Sequence, residues 1–154
     1  MAGKKDDGAQ ILERGDIYFI YRPKVEEEHP QGLEDVERFY MVLKPEDRKE
    51  FRLAVVGRKR LPDIEDHERN WGFVETIAGS AEQVEREFQA ADYETKTRGE
   101  RHLPAARPAG EGVYAFVQAG RNMHLVYDLE LPEKPGKVQE ELNILPQASF
   151  VLSI

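Results

Sequence analysis

A mainly β fold, either a β-sandwich or a half-open barrel of two similar β-units, follows from three features of this chain. The first is a repeated design. Gly15-Asp16-Ile17-Tyr18-Phe19-Ile20 precedes a returning run, Phe39-Tyr40-Met41-Val42-Leu43-Lys44, that leaves through Pro45-Glu46. Gly112-Val113-Tyr114-Ala115-Phe116-Val117 likewise precedes Leu125 to Leu131 and leaves through Pro132-Glu133. The second feature is alternation of apolar and polar residues between Gly, Pro, Asn and Asp punctuation, the signature of strands. The third is that one segment alone, near residues 81–91, has the period of an amphipathic helix. Short strands in such number close as a sandwich or half-open barrel.

Taken in order, residues 1–10 are small and polar, and 1–12 read as a flexible segment with Ile11 and Leu12 set against the core. A single β-rich domain then occupies 13–154, its two units at about 13–78 and 110–154. Ile17 to Tyr21 is apolar at every position, as in a strand covered on both faces, and Pro23 ends it. Lys24 to Val36 is a long charged loop. Phe39, Met41 and Leu43 alternate with Tyr40, Val42 and Lys44. Phe51, Leu53 and Val55 alternate next and stop at Gly57. Arg58 to Asn70 has no period and reads as a loop, followed by a strand from Trp71 to Ile77.

Ser80 with Gln83 forms a capping box, and Val84, Phe88 and Ala91 make one apolar stripe, so a helix is expected over 81–91. Tyr93 to Leu103 reads as a polar edge strand, and Pro104 to Gly110 as a linker. Gly120-Arg121-Asn122 turns a hairpin in the second unit. Leu142 to Leu145 and Ala148 to Ile154 complete it. The final apolar run carries no polar tail, which suggests that residues follow Ile154.

Composition narrows the function. The 154 residues include no cysteine, which excludes disulfides, thiolate metal sites and thiol nucleophiles. The net charge of −8 disfavours nucleic acid and anionic membranes as partners. Residues 1–7 lead into no apolar stretch, so a cytoplasmic location is expected.

Candidate chemistry gathers in one loop. Asp63, Glu65, Asp66, His67 and Glu68 could offer oxygen and imidazole ligands, but they lack the glycine of a calcium loop and a second histidine at helical spacing. No metal or cofactor is therefore expected. Arg58 and Arg60 could attract an anion, Trp71 could supply a stacking surface and His67 a polar contact. These four are the candidate ligand-binding residues. The acidic residues beside them tend to neutralise the patch. Ser80 is committed as a cap, no Gly-x-Ser-x-Gly elbow or phosphate loop occurs, and no catalytic residue is assigned.

Arg14-Gly15-Asp16-Ile17-Tyr18-Phe19-Ile20, followed by a long loop and the strands at Phe39 and Phe51, resembles the opening of the MazF/PemK-type ribonuclease toxins. The resemblance covers the first third of the chain. It implies a small SH3-like barrel and RNA cleavage by an arginine and a hydroxyl residue. The Arg-Pro pair usual before that family's second strand is replaced here by Arg38-Phe39, and no catalytic residue carries over.

The leading expectation is a non-enzymatic binding or assembly module for an unknown protein or small ligand, recognising it through loops 24–36 and 58–70. An RNA-binding or RNA-cleaving protein of the toxin-like kind is the alternative. Self-association through an exposed apolar face, giving a homodimer, is the third.

Overall fold

Strand β1 (Ala9–Pro23) pairs on both edges, and the rest of the molecule is laid out from it. The computed structural model describes residues 9–24, 36–56, 61, 72–89, 91–95, 99–103 and 105–152. On one side of β1 come β2 (Val36–Pro45), β3 (Phe51–Val56) and β4 (Gly72–Ala78). On the other come β7 (Arg107–Ala119), β8 (Asn122–Leu131) and β9 (Gln147–Leu152). The sheet order is β4-β3-β2-β1-β7-β8-β9, antiparallel throughout. Strands β5 (Ala91–Thr95) and β6 (Gly99–Leu103) form a separate two-stranded sheet. The outer strands β4 and β9 do not pair with each other, so the mainly β class takes its half-open form.

Because successive side chains point to opposite faces of a strand, β1 feeds two cores. Ile17, Phe19 and Tyr21 join Phe39, Leu43, Val56, Tyr114, Leu125, Tyr127 and Ala148 on one face, here the core face. Phe19 packs edge-on to Tyr127 at 5.1 Å, and Tyr127 stacks on Phe150 at 6.2 Å. Helix α2 (Lys137–Glu141) and the buried Leu142 and Ile144 close this face. The Tyr127 hydroxyl accepts the Leu145 N–H at 3.0 Å, and Gln139 Nε2 donates to the Ala109 carbonyl at 2.7 Å.

Tyr18 and Ile20 face the other way. With Tyr40, Val42, Leu53 and Val55 they pack under Val84 and Phe88 of helix α1 (Ala81–Glu87) and its C-cap. Ser80 Oγ accepts the Gln83 N–H, which is half of the expected capping box; the Gln83 side chain accepts the Gly79 N–H instead of that of Ser80. The buried Arg22 donates to the carbonyls of Glu87 and Gln89, placing a cation at the negative end of the helix dipole.

Several elements differ from expectation. The helix stops at Phe88 instead of 91, and Ala91 opens β5, because Arg22 and the Ala106 N–H take carbonyls of the last turn. A second short helix, α2, was not expected. Residues 9–12, expected in the flexible segment, are strand, held by the far half of β7, and Ile11 and Leu12 are 55% and 48% exposed rather than tucked in. The single edge strand from Tyr93 to Leu103 is the β5–β6 pair, and the end of the expected linker, from Arg107, is already β7.

Two glycines set the register. Gly15 lies opposite Tyr114, and Gly112 lies opposite Ile17, so a local twofold centred on the Asp16–Val113 pair exchanges them. A Cβ on Gly15 would collide with the Lys44 carbonyl, and one on Gly112 with the Asp128 carbonyl. Gly120 plays a different part. Its φ of 62° opens the two-residue turn between β7 and β8.

Gly15→Ala and Gly112→Ala are each expected to cost about 3 kcal/mol, since backbone rather than a side-chain tip must move. Gly120→Ala meets nothing within 4 Å and is expected to cost about 1 kcal/mol through its left-handed φ alone. Urea unfolding of the three variants checks the order.

Candidate functional site

β2 ends at Pro45, opposite Gly15, which brings no side chain to the core face. Arg52, on β3 and one step from Ala54 on the same face, reaches across this gap to Glu13 on β1. Its two terminal nitrogens both bond the Glu13 carboxylate, Nη2 at 2.8 Å. The Tyr114 hydroxyl donates to Glu13 Oε2 at 2.7 Å. The guanidinium also lies 5.9 Å from the Phe116 ring centre, a cation–π distance.

This cluster is well shielded: the Glu13 side chain is 12% exposed and that of Arg52 24%. The Arg52 hydrogen bonds hold the Glu13 carboxyl below its usual range, against the opposing effect of burial. The same bond raises Arg52. Burial first, and the bond to Glu13 second, push the Tyr114 phenol up. Each polar group thus spends its hydrogen bonds on the others, and the cluster ties β1, β3 and β7 together.

Two other features face outward. A shallow cleft of about 320 Å³ lies where β7 bulges at Ala109, lined by Tyr18, Ile20, Pro108, Glu111, Leu131 and Pro132. Burial, then the carboxylates of Asp16 and Glu111, raise the Tyr18 phenol there. The second feature is the outer edge of β9. Gln147-Ala148-Ser149-Phe150-Val151-Leu152 contains no charge, no proline and no bulge against β8. Among the described residues nothing pairs with its outer side. Val151 is 62% exposed, Gln147 and Ser149 are exposed, and Phe150 is half-buried. The opposite edge strand, β4, is charged and bulged at Glu75, which has no partner where Thr76 pairs with Leu53 and Val74 with Ala54. An open, regular, uncharged edge presents unpaired N–H and C=O groups to any extended chain.

The four candidate ligand-binding residues, Arg58, Arg60, His67 and Trp71, lie outside the described residues, as does most of the two expected loops, 24–36 and 58–70. Arg14, from the stretch resembling the toxins, is exposed and paired with Glu46 at 3.3 Å. Among the described residues no three His, Asp or Glu side chains gather as a metal site, and no helix is long and apolar enough to cross a membrane. The Glu13–Arg52–Tyr114 cluster was missed in sequence. Its one signal was an arginine on the face of β3 that otherwise carries Ala54 and Val56.

No protein-family model, curated protein sequence or solved structure matches this chain.

Arg52→Met is expected to cost about 2 kcal/mol near neutral pH, because it leaves the shielded Glu13 carboxylate short of two charge-assisted bonds. Glu13 is depressed when folded, so its contribution is complete above the usual glutamate range and disappears as pH falls through the lowered value. The gap between Arg52→Met and the parent should therefore narrow as pH falls below the usual glutamate range. Urea titrations at neutral and acid pH test this.

Proposed function

We propose that this chain is a non-enzymatic binding or assembly module that takes up an extended partner strand along the outer edge of β9. The observation that carries the reading is the contrast between the two ends of the sheet. In a chain with 34% charged residues, the six residues of β9 hold none. Strand edges that must stay unpaired are guarded by charge, proline or bulges. An edge without guards, on a strand whose inner register runs without a break, suits β-augmentation.

Two further points support the reading. The partly buried polar groups of Glu13, Arg52 and Tyr114 are engaged with one another, which suits a structural tie more than a reacting centre. The exposed Val151, at 62%, gives a bound strand an apolar neighbour on the face opposite the core.

Selection from a random short-peptide library against the immobilised protein tests the proposal. The expected result is enrichment of peptides with alternating apolar residues, whose binding is lost in Ser149→Lys and Val151→Lys. Failure to enrich any peptide, or cleavage of single-stranded RNA by the pure protein, would contradict it.

A further inference from the structure

We infer that the strand taken up by β9 is the β9 of a second copy of this chain, paired antiparallel about a twofold axis perpendicular to the sheet. This rests on the edge-pairing reading above and names its partner. Three points bear on pairing with the chain's own strand.

The first is the aromatic row across the core face. Phe19, Tyr127 and Phe150 follow one another at 5.1 and 6.2 Å, and the row ends half-buried at the open edge. Antiparallel pairing brings residues of the same face opposite each other at about 5 Å. A twofold through Phe150 sets Phe150 against its symmetry mate and covers the end of the row.

The second is electrostatic. Each chain carries −8, so two copies repel at long range. A contact confined to the uncharged β9 places no like charges directly opposite. The same register sets Ser149 opposite the partner copy's Val151, and so brings both exposed valines into the contact.

The third is closure. An isologous edge-to-edge contact uses up both copies' β9 edges and stops at two chains. An unguarded edge is then compatible with a discrete assembly instead of a growing fibre.

A single paired edge buries less than the roughly 800 Å² per partner typical of stable complexes. The dimer is therefore expected to be reversible and concentration-dependent. Sedimentation equilibrium of the full chain over a concentration series should show monomer and dimer exchanging. Val151→Lys and Ser149→Lys, both at exposed positions, should each raise the dissociation constant at least about tenfold while leaving the far-ultraviolet circular dichroism unchanged. Backbone hydrogen exchange gives a check without substitutions: amide protection within 147–152 should rise with concentration.

A wild-type chain that stays monomeric throughout, or a dimer that survives both lysine variants, would overturn the inference. If the chain stays monomeric while the peptide selection still returns strands, the second copy is excluded and the edge-pairing reading stands. If both fail, the edge-pairing reading falls too.

Discussion

The fold depends on the double burial of one strand. β1 is covered by the Phe39, Tyr114 and Tyr127 cluster on one face and by the cluster under α1 on the other, with β2 and β7 hydrogen-bonded along its two edges. Burying a large apolar side chain contributes about 2 kcal/mol. Ile17 and Phe19 are completely buried, and Tyr18 and Ile20 are packed on the opposite face. A run of apolar residues with no polar face is what such a position demands. Gly15 and Gly112 then let the backbones of β2 and β8 approach β1 and β7 closely.

Around this strand the polar tie-points follow geometry more than sequence distance. Arg22 reaches the last carbonyls of α1 and holds the helix to the sheet. Glu13 gathers Arg52 and Tyr114 beyond the end of β2. Asn143, at a φ of 60°, donates to the Leu61 carbonyl, while the Leu61 N–H donates to the Leu142 carbonyl. These bonds close the flanks of the sheet, and β9 is left as its ungated border.

Elements bounded by local signals were readable from sequence. β3 begins and ends where alternation from Phe51 to Val56 says it should. The start of α1 follows from Ser80 and Gln83. Its end did not, because it is set by Arg22, distant in sequence. The small polar residues ahead of Ile11 and Leu12 disguised a strand that backbone pairing with β7 creates from Ala9 onward. The internal repeat held only in part. The two glycines exchange about the local twofold, but Pro45 sits opposite Gly15 whereas Leu129, not Pro132, sits opposite Gly112. The Glu13–Arg52–Tyr114 cluster joins residues far apart in the chain, and no local pattern marks it. The unguarded β9 edge was written in the sequence, yet only the strand order shows that it is an edge.

β1 fuses the two halves of the sheet into one cooperative unit, and native-state hydrogen exchange on the full chain tests this most directly. The hydrogen-bonded amides of Ile17 to Tyr21 are expected to exchange only through global unfolding, together with those of their partners in β2 and β7. Exchange of these amides through a smaller opening, while β2 and β3 stay protected, would contradict it.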